Sequence, residues 1–236
     1  MPGMPRCPRP PRSAGFTLVE LAIVLVIVAL LTGGLLLGVT AQRNAAEVVD
    51  ARARLDVIRE ALLGYAMANG RLPCPAPANV PTGNPAAGVT PLPPCDNALQ
   101  HGVVPWVTLG IPEVDPWGQR YTYYASSAFT GAVPGGALAS FTMTTIGNAN
   151  VKDSAGSGAN IASDLPAVIV SHGSRGNGGW RPDGTQVPGA SGDELENANG
   201  TTTFVSRTIG DSFDDLLTWI PASILKAKMV AAGRLP

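Results

Sequence analysis

A long uncharged stretch near the N-terminus constrains this chain more than any other feature. From Phe16 to Ala41, Glu20 is the only charged residue in 26 positions. The 19 residues from Leu21 to Val39 carry no charge at all. About 20 such residues in a helix cross the hydrocarbon core of a bilayer. We therefore expect one apolar helix that lies in a membrane or packs among other apolar helices.

Glu20 and the residues before this stretch indicate how the helix is oriented and used. A carboxylate in the middle of a membrane helix costs about 2.5–3.5 kcal/mol even on the mildest scale, so it is a functional signal by default. The first fifteen residues are rich in proline and contain Arg6, Arg9 and Arg12 but no acid. By the positive-inside rule, these arginines place the N-terminus in the cytoplasm.

The order of these segments differs from that of a secretory signal peptide. Such a peptide has its apolar region before the cleavage site and loses it on cleavage. Here the small residues Ser13, Ala14 and Gly15 precede the apolar stretch, so a cut after Gly15 leaves the helix on the mature chain. The cut also creates an amine at Phe16, one helical turn from Glu20. The alternative is an uncleaved anchor whose Glu20 extends toward the headgroups.

The motif Gly15-Phe16-Thr17-Leu18-Val19-Glu20, followed by an apolar helix, resembles the processing site of type IV prepilins and type II secretion pseudopilins. The resemblance implies that a prepilin peptidase cuts after Gly15 and methylates the amine of Phe16. It also implies that Glu20 pairs with the Phe16 amine of a neighbouring subunit during assembly. The implied protein is a structural filament subunit and not an enzyme.

The same resemblance implies an organisation, a fold class and a location. Residues 1–15 are the leader, 16–41 the membrane and filament-core helix, 42–70 an amphipathic helix, and 71–236 a periplasmic domain. The expected fold is α+β and pilin-like, with a long N-terminal helix packed on a small antiparallel sheet. The implied location is the bacterial inner membrane, crossed once. The implied partners are the prepilin peptidase, other subunits, an inner-membrane assembly platform and the lipid bilayer.

Apolar residues recur at helical spacing after the membrane-length stretch. They are Val48, Ala51, Leu55, Ile58, Leu62 and Tyr65. One stripe of this kind predicts an amphipathic helix whose apolar face needs a partner, and a following sheet is the simplest one. The helix is expected to end at Asn69-Gly70, because glycine favours helix ends and Pro73 prevents the helix from resuming.

Two cysteines would remain after cleavage, since Cys7 lies in the leader. An even pair in an oxidising compartment predicts a disulfide between Cys74 and Cys95. The bridge would close a loop rich in proline, glycine and asparagine, a constraint worth roughly 3 kcal/mol in loop-entropy models. The alternative, a pair of metal ligands, requires more ligands than the neighbouring sequence supplies.

The rest of the chain predicts short strands joined by long loops. Asp115-Pro116-Trp117-Gly118 has the composition of a turn, and the aromatic run that follows it favours a strand. In addition to the strand that follows this turn, we expect strands at Ser140–Ile146, Ala167–Ser171 and Thr201–Arg207. Short helices are expected at Phe213–Ile220 and Ile224–Ala232. We expect Trp117 to fill the core where helix and sheet meet.

An acidic and amide-rich run offers the best candidates for a metal site. The oxygen ligands that Ca²⁺ prefers are present in Asp193, Glu194, Glu196, Asn197 and Asn199. Major secretion pseudopilins carry a calcium site in a comparable loop, but the run lacks the alternating ligands of an EF-hand. A solvated turn is the alternative, and no cofactor is required by this interpretation.

A second motif, Ser171-His172-Gly173-Ser174, raises the question of catalysis. Adjacent residues of a strand point to opposite faces, so Ser171 and His172 cannot act together as nucleophile and base. Two other functions therefore stand beside the filament subunit: a membrane-anchored periplasmic binding module with an uncleaved anchor, and a tethered hydrolase that depends on His172. Only the filament subunit requires the new amine and Glu20.

The charge balance argues against a nucleic-acid partner. Without residues 1–15, Lys+Arg falls from 16 to 13 while Asp+Glu stays at 17, so the net charge changes from −1 to −4. A nucleic-acid groove requires clustered Lys and Arg. No nucleic-acid partner is therefore predicted.

Overall fold

The computed structural model describes residues 15–95 and 100–236. Residues 1–14, which include Cys7 and the three arginines, lie outside the described residues, and the side chains of residues 32–41 are likewise not described. The helices are α1 (Leu18–Asn69), α2 (Trp106–Leu109), α3 (Ser127–Thr130), α4 (Gly192–Glu196) and α5 (Ala222–Ala231). The strands are β1 (His101–Val103), β2 (Thr122–Ala125), β3 (Ala149–Lys152), β4 (Asn160–Leu165), β5 (Ala167–Ser171), β6 (Thr203–Val205) and β7 (Leu216–Ile220).

The chain divides into two units, one ending at Ala46 and one formed by Glu47–Pro236. In the first unit, α1 begins at Leu18 and its apolar side chains up to Leu31 are exposed. In the part of the chain that the structure describes, none of the helices satisfies the length and hydropathy criteria for a membrane crossing.

In the second unit, the amphipathic part of α1 buries the predicted stripe. Ala51, Leu55, Ile58 and Leu62 are at most 2 % exposed. They pack in the main core with side chains of β2, β5, β7 and α5. Gly70 follows the helix with a φ of +73°, a conformation that glycine adopts without strain. The sequence therefore predicted this part of α1 and its end correctly.

Two sheets build the rest of this unit. The larger has the order β1-β2-β5-β7 with every neighbouring pair antiparallel. All five residues of β5 are buried, because one face contacts the main core while Val168 and Val170 face a second core. That second core includes Phe204 and Val151 of the smaller sheet, which has the order β4-β3-β6. The α+β class, with an N-terminal helix and an antiparallel sheet, is confirmed.

The turn at Asp115–Gly118 connects the helix and the larger sheet. Oδ1 of Asp115 accepts hydrogen bonds from the backbone N–H groups of Trp117 and Gln119 at 3.0 and 2.9 Å, and Oδ2 accepts one from Ser171 at 2.7 Å. Trp117 packs against the main core, and its ring N–H donates to Glu47 at 2.9 Å. The turn, the aromatic strand and the core position of Trp117 agree with the sequence predictions.

Two predicted elements are wrong. Residues 140–146 form no strand, because Thr142 and Thr145 close a turn through backbone and hydroxyl hydrogen bonds, which compete with strand pairing. Phe213–Ile220 is not a helix, because Leu216–Ile220 pairs with β5 along its whole length. The strands at 167–171 and within 201–207 and the helix near the C-terminus are confirmed.

Candidate functional site

The segment Gly15–Glu20 forms the beginning of α1 and holds its own hydrogen-bond network. The Oε2 atom of Glu20 accepts hydrogen bonds from the backbone N–H and the hydroxyl of Thr17, at 3.0 and 2.9 Å. The N–H of Glu20 in turn donates to the hydroxyl of Thr17 at 3.3 Å. This reciprocal pairing is a capping box, which satisfies backbone donors that a helix start leaves open.

The capping role of Thr17 was not among the sequence predictions. Threonine followed by glutamate at the third position, before an apolar run, is a sequence signature of a helix start. The structure therefore gives the carboxylate of Glu20 a partner inside its own chain. Any contact between Glu20 and the Phe16 amine of a neighbouring subunit has to compete with this partner or share the carboxylate with it.

Gly15 and Phe16 are open to another molecule. The side chain of Phe16 is 85 % exposed. A Cβ added to Gly15 would have no described atom within 4 Å, and its φ does not lie in the left-handed range that favours glycine. The described part of the chain thus imposes no requirement for glycine at this position. A requirement for glycine, if there is one, comes from whatever binds the segment.

The predicted disulfide is present in the structure. Cys74 and Cys95 are bonded, with their Cα atoms 5.6 Å apart. The residues inside the closed loop are also tied to the domain, because the hydroxyl of Thr90 donates to the carbonyl of Cys74 at 3.0 Å. Residues 96–99, directly after the bridge, lie outside the described residues.

The five calcium candidates do not converge on one point. Asp193 pairs with Arg207 at 2.6 Å, and Asn197 is buried with hydrogen bonds to Val205 and Asp215. Glu196 and Asn199 bond to each other at 3.2 Å. Each of these groups already has a protein partner, so the described contacts tie α4 to its neighbours. Calcium binding by this run stays an untested prediction.

Glu194, by contrast, belongs to a buried acidic cluster that the sequence did not reveal. Its carboxylate lies near those of Asp214 and Asp215, with one oxygen of each within 4.8 Å of the others. The guanidinium of Arg175 lies 2.5 Å from Glu194 and 3.3 Å from Asp214. Arg175 therefore supplies positive charge to the cluster from within the chain. Residues 194 and 214 are far apart in sequence, so no local pattern could have predicted the cluster.

His172 lies beside this cluster in the interior. Its Nε2 atom is 2.8 Å from the hydroxyl of Thr122, and its Nδ1 atom is 3.7 Å from Oδ1 of Asp215. Neither Nδ1 nor that Oδ1 has a hydrogen-bond partner among the described residues. Burial lowers the pKa of His172 to about 4 and raises the pKa of Asp215 well above its ordinary value. The imidazole is therefore neutral and a poor base near neutral pH.

The two serines of the candidate catalytic motif are bonded elsewhere. Ser171 donates to Asp115 at 2.7 Å, and Ser174 donates to Asp214 at 3.0 Å. Thr122 takes the place beside His172 that a nucleophilic serine would need. The fully buried imidazole of His172 thus connects the residue after β5 with β2 through Thr122, and it is not the partner of either serine.

Comparison with known proteins adds one finding. Residues 10–36 match the family model described as "Prokaryotic N-terminal methylation motif". Neither a search of the curated proteins nor one of the solved structures gave a match. The match covers Gly15–Glu20 and the start of α1, the same residues that form the exposed, capped segment. The chain therefore carries the leader signature of type IV pilins and pseudopilins.

Proposed function

We propose that this chain is a pseudopilin or minor pilin that assembles into a type IV pilus-like or type II secretion filament. A prepilin peptidase cuts it after Gly15 and methylates Phe16, and the subunit then joins the filament through its N-terminal helix. The observation that carries the proposal is the leader signature at residues 10–36. The signature itself supports a type IV pilin-like or pseudopilin precursor.

The exposed apolar face of α1 supports an apolar environment for this segment. Leu18, Leu25 and Leu30 are 85, 61 and 73 % exposed. At roughly 25 cal/mol per Å² of apolar surface, so many exposed side chains are costly in water. The inner-membrane bilayer before assembly, and neighbouring helices after it, would cover them. Glu20 would then pair with the Phe16 amine of a neighbouring subunit.

The pilin-like fold is part of the proposal. Its support is the order of elements: a long helix first, whose second half contributes one face of the main core, and an antiparallel sheet after it. We propose that the second unit, Glu47–Pro236, lies in the periplasm. The disulfide between Cys74 and Cys95 suits that compartment.

Substitution at the proposed cleavage site tests the function. Gly15→Val should leave the precursor uncut in the inner membrane, because the branched side chain obstructs the peptidase and not the chain's own packing. Ala22→Val is the matched control, since it adds the same side chain beyond the cut and should be processed normally. Mature protein from Gly15→Val would overturn the peptidase assignment.

One observation favours a second candidate, the membrane-anchored binding module. A groove of about 440 Å³ is lined by side chains that include His101, Trp180 and Phe204. Mixed aromatic and polar lining is typical of ligand sites. This function would survive Gly15→Val and Glu20→Ala, whereas filament assembly would not.

A further inference from the structure

The outer edge of β7 is an interaction surface that the leader signature does not explain. β7 is the last strand of the larger sheet, and β5 is its only strand neighbour among the described residues. Within residues 15–95 and 100–236, no hydrogen bond connects the backbone of Leu216–Ile220 with a group outside the β5 pairing. An open edge of this kind is a template for another strand.

A groove runs along this edge. Two adjoining cavities of about 560 and 470 Å³ share Leu217 and Thr218 in their linings. Together they form the β7 groove, which lies between β7 and the part of α1 from Arg52 to Leu63. Five residues of an added strand would extend about 17 Å, the length of β7 itself.

The lining of the β7 groove defines what it would accept. Ile209 and Ile224 line its two cavities and are 38 and 48 % exposed. The cavity that contains Ile209 is also lined by charged residues, Arg52, Asp56, Arg207 and Asp215. Asp56 pairs with Arg59, Arg207 with Asp193, and Asp215 accepts from Asn197, whereas Arg52 forms no ion pair within the described residues. An occupant should therefore be an extended segment with an apolar side chain and an acidic one.

The chain contains such a segment in β4. This strand is the edge of the smaller sheet, and in the described part of the chain it pairs only with β3. Ile161 is 51 % exposed, and Ser163 and Asp164 are also exposed. No ion pair of Asp164 occurs in the part of the chain that the structure describes. β4 has six residues and β7 has five. Because the pairing of β4 with β3 shifts register twice, we expect β4 to pair with β7 over part of this length.

We propose that β7 of one subunit binds β4 of a second copy, so that the two sheets join edge to edge. The backbone groups of the two strands would pair, Ile161 would cover part of the apolar lining, and Asp164 would lie near Arg52. The two surfaces differ, so the contact is head-to-tail and extends into an open chain unless the rotation closes it. The contact adds to the proposed filament function but does not require cleavage after Gly15.

Disulfide trapping in the full-length chain tests this contact. One tagged copy carries Thr218→Cys, a second copy with another tag carries a cysteine at one position of β4, and Cys7→Ser removes the leader thiol. Directly paired strand residues have Cβ atoms about 4.5–5.5 Å apart, close enough for a disulfide with small movement. We expect a mixed-tag dimer from Ala162→Cys or Ser163→Cys after mild oxidation. Gly135→Cys, an exposed loop position, is the control and should give none.

A charge variant tests whether Asp164 contributes. Asp164 has a φ of +56°, a conformation that asparagine also tolerates. Asp164→Asn therefore removes the charge and keeps the backbone, and it should lower the yield of the mixed dimer about threefold. Arg52→Gln should lower the yield to a similar extent.

Three results would overturn the proposal. Thr218→Cys copies that cross-link with each other would show symmetric β7 pairing. A cross-link from Thr218→Cys to a different protein would assign the groove to another partner. Absence of the mixed dimer at every β4 position would exclude the contact. Repeating the trapping in Gly15→Val separates these results from a failure of processing, because the contact should form in uncut protein that shares the membrane.

Discussion

Glu20 has two possible partners, and the difference between them can be measured. Within the chain it closes a capping box with Thr17, and in the proposed filament it pairs with the amine of Phe16. The first role requires an acceptor oxygen, which glutamine also provides. The second role requires a negative charge. Substitutions that separate charge from hydrogen bonding therefore distinguish the two roles.

Glu20→Gln should be cut and methylated but should assemble poorly. The amide keeps the hydrogen bond to Thr17 and loses the charge that would attract the amine. We expect at least a tenfold drop in filament yield, which corresponds to about 1.4 kcal/mol, measured by shearing and quantifying assembled protein. Glu20→Asp, which keeps the charge, is the control. Normal assembly of Glu20→Gln would show that the capping role alone suffices.

Thr17→Val should weaken the start of α1. It removes the hydroxyl that accepts from the N–H of Glu20 and donates to the carboxylate. Loss of a helix cap costs about 1 kcal/mol, so amide exchange at Glu20 should accelerate roughly fivefold in detergent-solubilised protein. Thr17→Ser keeps the hydroxyl and should exchange at the parent rate. Equal exchange in all three proteins would rule out the capping box.

His172 makes the stability of the second unit depend on pH. Its pKa of about 4 in the folded chain lies below the ordinary 6.5, so the unfolded chain binds a proton that the folded chain does not. This contribution to stability is complete above pH 6.5 and is lost as the pH falls toward 4. The raised pKa of Asp215 has the opposite effect. This carboxyl binds its proton more tightly in the folded chain than in the unfolded chain, so its contribution to the free energy of unfolding is lost as the pH rises.

His172→Gln should therefore reduce the loss of stability on acidification. The difference between parent and variant in the unfolding free energy lost on acidification to about pH 4.5 should be about 2 kcal/mol, because the pKa of His172 falls from 6.5 to about 4 on folding. The measurement is the thermal midpoint of each full-length protein at about pH 7 and about pH 4.5. Ser157→Ala, a neutral change at an exposed position, serves as the control. Equal acid shifts in parent and His172→Gln would contradict the burial of a neutral imidazole.

Among the helices, strands and turns, those determined by a local sequence pattern were predicted correctly. The stripe from Val48 to Tyr65 repeats at helical spacing, and the turn at Asp115–Gly118 satisfies its own backbone, so both followed from sequence. β7 did not, because Phe213–Ile220 has acids at its start and an apolar run that suits a helix or a buried strand equally. Its pairing with β5, some 50 residues earlier in the chain, decided the outcome. The acidic cluster around Glu194 depends on the same long-range pairing.

The loop between Cys74 and Cys95 provides an element-scale test. The double variant Cys74→Ser, Cys95→Ser should leave processing intact and expose the loop to protease. In loop-entropy models the bridge stabilises the folded chain by roughly 3 kcal/mol, because it restricts the unfolded chain. Limited proteolysis followed by mass mapping should show new cuts within residues 74–95. Cys7→Ser is the control and should leave the digestion pattern unchanged. Resistance of the double variant would show that contacts such as that of Thr90 with Cys74 suffice.

In the whole molecule, a short leader signature precedes a larger folded unit. The match at residues 10–36 covers Gly15, whose glycine the described packing does not require, and the exposed apolar start of α1. The second unit adds a stable core, a disulfide and two open sheet edges, which suit a subunit that touches its neighbours through more than its helix. Processing as a pilin precursor is the claim on which the proposed assembly through the N-terminal helix depends, whereas the proposed contact of β7 with β4 does not require it.

The mass of the N-terminus of the protein recovered from its native cell envelope tests that claim most directly. We predict a chain that begins at Phe16 and is heavier by one methyl group than an unmodified chain with the same start. A chain that still begins at Met1 would contradict it, and the uncleaved anchor of a binding module would then be the correct description.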